Sequence, residues 1–278
     1  MTVDHIGEFL PDMPLFLRYI GRLSCSIFFF CAVEGFMHTR NKKTYLIRLY
    51  AMGQLMTCID LVLPRLLPVP SKMYMGSPWP YISNNVFLEI FIMMVLVYIW
   101  DAYAKDRKKL MLGTLIFFSY QIVGNILFEK IFWYTDLMQT AIAYSVAGLH
   151  DEYFMGNTAL YVDCLIPIFY LFRKREGDKD YRRPAIAFVA WWSVYAVFAV
   201  LLPTSIAQFL PFDFFGRRNA VFLDRVFKIG YQWMMIFALP FLLCYNGKKG
   251  KGWKYLFYTY YPLHIVCLYC LSGLFYRT

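Results

Sequence analysis

The chain has 278 residues, of which 60% are hydrophobic and only 17% charged, and its mean hydropathy is +0.46. An ordinary globular protein carries about 25% charged residues, so the composition argues against a water-soluble enzyme, and 21% aromatic residues rule out a disordered chain. The net charge of +10 invites a nucleic-acid partner, but the basic residues stand in short clusters between apolar runs, where membrane proteins carry them, and no nucleic acid is expected.

In chain order, residues 1–10 look like the end of a helix. Apolar helical runs then fall near 23–38, 44–63, 86–104, 110–128, 158–172, 184–203, 226–245 and 254–274. About 20 apolar residues cross a bilayer, so the predicted fold is all-α, a polytopic transmembrane helix bundle of about nine spans with the first truncated, in one domain over 1–278.

Four connections are basic: Arg40, Lys42, Lys43 and Arg48; Lys105, Arg107, Lys108 and Lys109; a third running from Arg173 to Arg183; and a fourth with Lys248, Lys249, Lys251 and Lys254. They hold 18 of the 28 Lys and Arg residues. Two runs separate each cluster from the next, so all four can face the cytoplasm. Residues 11–22, 64–85, 129–157 and 204–225 then form the opposite loops, with 137–149 re-entrant or lying on the surface and the carboxyl end outside. The seven cysteines lack zinc or disulfide spacing and are expected to be small core residues.

Ionisable groups at membrane depth are costly, and they usually face the bundle interior. Asp4 and Glu8 lie four residues apart and flank His5, the spacing at which a carboxylate orients an imidazole as a general base; the alternative is a solvated chain start. Arg22 precedes a helix in which Glu34 and His38 share a face, with Arg40, Lys42 and Lys43 just beyond. That cluster suits the phosphates of a nucleotide-like polyanion, and equally suits positive-inside anchoring.

Asn84 and Asn85 are placed to cap the run at 86, and Glu89 lies one turn in. Asp60 and Asp163 read as structural carboxylates paired with arginine. In the last run Pro262 interrupts the backbone ladder, and Tyr260 and Tyr261 stand on the turn before His264, a candidate pocket wall or a packing residue. No phosphate-binding glycine loop, H-E-x-x-H, serine elbow or Cys/His metal spacing is present, and no metal is expected.

Ordered motifs at both ends resemble the TraX family of bacterial membrane proteins. They are Asp4-His5-Ile6-Gly7, Ile20-Gly21-Arg22-Leu23, Val33-Glu34-Gly35-Phe36 through Asn41, Tyr45-Leu46-Ile47-Arg48-Leu49, Tyr245-Asn246-Gly247-Lys248-Lys249-Gly250 and Tyr261-Pro262-Leu263-His264. The resemblance implies a multi-pass protein of the bacterial cytoplasmic (inner) membrane. It implies an acetyltransferase that takes its acetyl group from cytoplasmic acetyl-CoA as co-substrate, with the lipid bilayer and an amine or hydroxyl acceptor, such as a pilin amino terminus or a cell-surface component, as partners.

On that reading His5 is the base, Asp4 or Glu8 orients it, and Arg22, Glu34 and His264 complete the catalytic set. His38, Arg40, Lys42, Lys43, Lys248, Lys249 and Tyr261 receive the co-substrate. Against the family pattern Met1 stands only three residues before Asp4, so the first span is expected to be short. A proton-coupled small-molecule transporter and a noncatalytic membrane scaffold are the alternatives.

Overall fold

The computed structural model describes residues 1–67, 82, 85–132, 164–174, 182–195, 223, 227–228, 231–248 and 254–275. Among them all regular structure is helical. Helix α1 spans Thr2–Phe9, α2 Phe16–His38, α3 Lys42–Leu66, α4 Val86–Ala102, α5 Arg107–Phe132, α6 Leu165–Lys174 and α7 Arg182–Tyr195. A 3₁₀ helix over Tyr231–Ala238 runs into α8 at Leu239–Leu243, and α9 spans Lys254–Phe275.

Local chemistry sets several of these boundaries. The α1–α2 turn passes through Asp12 at φ 56°, a left-handed conformation that Asp tolerates better than most residues. Asn41, Asn85 and Asp106 each accept a hydrogen bond from the backbone N–H three residues on, at 3.1, 3.2 and 3.1 Å, and so cap α3, α4 and α5. The predicted cap at Asn85 is therefore present; Asn84 lies outside the described residues.

Helices α2 and α3 are each long and apolar enough to cross a membrane. Aromatic side chains fill the core between helices. Phe30 meets Phe169 edge-to-face at 5.5 Å, Phe169 lies over Phe188 at 5.9 Å, and Trp192 is fully buried, tying α2, α6 and α7 together. By contrast Met111, Leu112, Leu115 and Ile116 of α5 are more than half exposed, an apolar surface suited to lipid. Cys31, Cys58, Cys244, Cys267 and Cys270 are also exposed, which corrects their expected place in the core.

Two loop expectations change. Residues 16–22 are helical, not part of an outer loop, because Asp4 and Glu8 pair with Arg18 and Arg22 and remove the need to leave those charges in water. Of the 64–85 connection, Ile82 and Asn85 are among the described residues, and both lie against α3. Ile82 donates its N–H to the Asp60 carbonyl at 3.1 Å, and the Asn85 amide donates to Gly53 O and Thr57 Oγ1, both at 2.9 Å. Helix α4 thus starts beside the middle of α3, inside the protein, where its first turn reaches the interior cavity. The expected re-entrant segment 137–149 and Asp163 lie outside the described residues.

At the opposite end, Lys42 pairs with Asp101, Tyr170 donates to Asp101 Oδ1 at 2.8 Å, and Arg173 Nε donates to Glu34 Oε1 at 2.6 Å. These contacts gather the start of α3 and the ends of α2, α4 and α6. Three of the four basic clusters therefore begin at one end of the bundle, as the charge pattern predicts.

Candidate functional site

The first helix packs antiparallel on the second through complementary spacing. Asp4 and Glu8 are one turn apart, as are Arg18 and Arg22, so the pairs zip together. Arg22 Nη2 reaches Asp4 Oδ2 at 2.8 Å, and Arg18 Nη1 reaches Glu8 Oε2 at 2.5 Å and Asp4 Oδ1 at 3.1 Å. The close approach depends on Gly21, since a Cβ there would sit 2.1 Å from Asp4 Cβ. The Met1 amino group donates to Ser24 Oγ at 3.0 Å and fixes the start of α1.

This docking delivers His5 to α9. His5 Nδ1 and His264 Nε2 are 2.8 Å apart, with ring planes inclined by only 20° and both residues buried. The other ring nitrogen of His264, Nδ1, lies 2.9 Å from the Tyr260 carbonyl oxygen. A carbonyl only accepts, so His264 Nδ1 carries the proton and, in the neutral ring, Nε2 offers its lone pair. His5 Nδ1 must then donate, which leaves His5 Nε2 unprotonated. Among the described residues His5 Nε2 has no hydrogen-bond partner. The tautomers follow from one backbone oxygen at the end of the chain of contacts.

His5 borders a cavity of about 200 Å³ whose wall also includes Asp4, Glu8, Arg22, Glu89 and Tyr261, and His264 stands behind His5 as its hydrogen-bond partner. Tyr261 is 2% exposed and packs edge-to-face on Phe87 at 5.2 Å, joining α9 to the first turn of α4. Arg22 also lies over the Tyr231 ring, 5.6 Å from its centroid. Described residues offer no group of three or more His, Cys, Asp or Glu that would hold a metal.

Of the sequence-predicted residues, Asp4, His5, Glu8, Arg22, His264 and Tyr261 converge here, and Glu89 joins them. Two expectations are corrected. His5 is oriented by His264, because Asp4 and Glu8 are drawn to the arginines. Glu34 does not reach the cavity: it lies twelve residues, about 18 Å, along α2 from Arg22 and is buried against Arg173.

His38, in the last turn of α2, donates Nδ1–H to the Glu34 carbonyl at 2.9 Å. Arg40, Lys43 and Lys248 are exposed, Lys42 is engaged by Asp101 and lies over Phe36, and Lys249 falls outside the described residues. Arg18 and Ser24 escaped the sequence reading, and Gly21 and Arg173 entered it only within a motif and a basic cluster. The matching four-residue spacing of the acidic and basic pairs was the available signal for Arg18.

Fold and cavity together define an all-helical membrane protein in which residues from opposite ends of the chain build a buried histidine pair. The chain belongs to the TraX family: the family described as TraX protein matches residues 1–272. Neither the curated proteins nor the solved structures contain a match.

Proposed function

We propose that the protein is a multi-pass acetyltransferase of the bacterial cytoplasmic membrane, built as a bundle of about nine spans. In this reading it moves an acetyl group from cytoplasmic acetyl-CoA to an amine or hydroxyl acceptor. Family membership supports the reading through the acetyltransferase activity that the resemblance to TraX proteins implies. The observation that carries it is the His5–His264 hydrogen bond at the wall of a polar cavity.

Acyl transfer needs a base with a lone pair facing the acceptor, and His5 Nε2 is that base. As the acceptor nitrogen or oxygen bonds to the thioester carbonyl carbon, its proton passes to His5 Nε2. The proton on His5 Nδ1 moves to His264 Nε2, so the positive charge comes to rest on a ring whose Nδ1–H is held by the Tyr260 carbonyl. Collapse of the tetrahedral intermediate breaks the carbon–sulfur bond. The relay then runs backwards, the leaving thiolate takes the proton from His5, and the products are the acetylated acceptor and the CoA thiol.

Asp4 and Glu8 act through the arginines, holding α1 in place, and Arg22 stands on the acceptor side. The pair lies level with Gly21, five residues or about 7 Å from the start of α2 and about 26 Å from its basic end. A donor held by Arg40 and Lys43 must therefore run its acyl arm along α2. The test is release of CoA thiol by the purified chain given acetyl-CoA and an amine-bearing peptide. Release that disappears in His5→Ala supports the reading, and release equal to a protein-free control contradicts it.

A further inference from the structure

Away from the histidine pair, an open groove of about 890 Å³ runs between α4, α5 and α6. Its volume is that of a small-molecule site, but its chemistry is that of hydrocarbon. Leu110, Met111, Leu112, Leu115, Phe118 and Leu171 form most of the wall. The polar atoms within it are already satisfied by the protein. Trp100 Nε1–H donates to Thr114 Oγ1 at 3.0 Å, Thr114 Oγ1 donates to the Leu110 carbonyl at 2.8 Å, and the Tyr170 hydroxyl donates to Asp101. An occupant that fills the groove needs no hydrogen bonds, which selects an aliphatic chain.

Beside the groove, α4 and α5 approach closely. A Cβ at Gly113 would sit 2.8 Å from Ile99 Cγ2, so glycine lets α5 settle on α4 and leaves the longer side chains on either side as the rims.

One mouth of the groove is charged. Ala104 and Leu110, both in its wall, bracket the α4–α5 turn that carries Lys105, Arg107, Lys108 and Lys109. Asp106 is the single acid among them. The Lys109 backbone N–H at 3.1 Å, with Lys109 Nζ in an ion pair at 3.2 Å, holds its carboxyl below the ordinary carboxylate range, so Asp106 offsets Lys109 and the turn keeps the positive charges of Lys105, Arg107 and Lys108. The nearby Asp101 carboxylate is matched by Lys42. An apolar trough with a net positive rim is complementary to one kind of molecule at a membrane surface.

We propose that the α4–α5–α6 groove binds an anionic phospholipid, its acyl chain against Leu112, Leu115 and Phe118 and its headgroup phosphate against Arg107, Lys108 and Lys109. The commitment to an anionic lipid rests on the charge of the rim, which attracts an anionic headgroup more strongly than a zwitterionic one. The site is independent of the acetyl-transfer reading.

The experiment uses the full chain in detergent, titrated with phosphatidylglycerol or with phosphatidylcholine of the same acyl chains, and reads bound lipid by native mass spectrometry and unfolding temperature. Phosphatidylglycerol is expected to bind at least tenfold more tightly than phosphatidylcholine. The preference should vanish in R107Q/K108Q/K109Q, and L115W, which fills the trough, should lower binding of both lipids. Equal binding of the two lipids, or phosphatidylglycerol binding unchanged by the charge variant, overturns the headgroup assignment. Binding unchanged by L115W, in a variant that unfolds at the wild-type temperature, overturns the groove.

Discussion

Replacing Gly21 by Ala tests whether the docking of α1 sets the histidine geometry. The added methyl would lie 2.1 Å from Asp4 Cβ and 2.2 Å from Asp4 Cγ, where ordinary contact begins at 3.4 Å. Both atoms belong to a short side chain pinned by Arg18 and Arg22, so rotation of Asp4 offers little relief and α1 itself must move by about 1.3 Å. Such a shift can stretch the 2.8 Å His5–His264 contact to about 4 Å, beyond hydrogen-bonding distance.

Misplacement of about 1 Å in a catalytic constellation is enough for a rate loss of about a hundredfold. The overpacking itself should cost about 1 to 3 kcal/mol of stability. The assay is acetyl transfer per folded molecule, with unfolding temperature measured alongside. Gly113→Ala is the matched control, because its methyl strains the α4–α5 contact, away from His5. If Gly21→Ala transfers acetyl at the wild-type rate while Gly113→Ala behaves identically, the argument that α1 docking positions the base fails.

His264→Gln keeps a hydrogen-bond acceptor near the position of Nε2 but cannot take a proton, so turnover should fall about a hundredfold while ¹⁵N spectra still show His5 protonated at Nδ1. A proton found on His5 Nε2 in the wild-type protein at neutral pH would refute the relay. Glu34→Gln removes the buried charge that faces the half-buried Arg173 at 2.6 Å and should lower stability by about 3 kcal/mol, measured by denaturation in detergent. Its transfer rate per folded molecule should stay at the wild-type value, because Glu34 lies outside the cavity, and a specific loss of turnover would return it to the catalytic set.

The helical class, the membrane setting and the pairing of the chain's two ends were legible because each rests on composition or on residues carried by strongly apolar helices. His5 and His264 stood out as imidazoles at membrane depth, and Asn85 as a cap immediately before an apolar run. The direct hydrogen bond between His5 and His264 was not legible. A carboxylate three residues from a histidine is a local relation that sequence displays, whereas Asp4 and Glu8 turn to arginines brought by a second helix, and His5 turns to a ring 259 residues away.

Glu34 misled for the same reason. Its depth marked it as facing the bundle interior beside His38, but its partner Arg173 belongs to a basic cluster that anchoring alone explains. Gly21 carried no outward sign of its role, because a glycine inside an apolar helix becomes informative only once the crossing partner is known. The start of α4 inside the protein was equally hidden, since the hydrogen bonds of Asn85 to Gly53 and Thr57 come from tertiary packing.

The most direct measurement is the mass of an amine-bearing acceptor peptide after incubation with acetyl-CoA and purified protein, wild type beside His5→Gln, both confirmed folded. The account predicts one added acetyl group per acceptor with the wild-type protein and none above background with the variant. Acetylation by His5→Gln at the wild-type rate would contradict it.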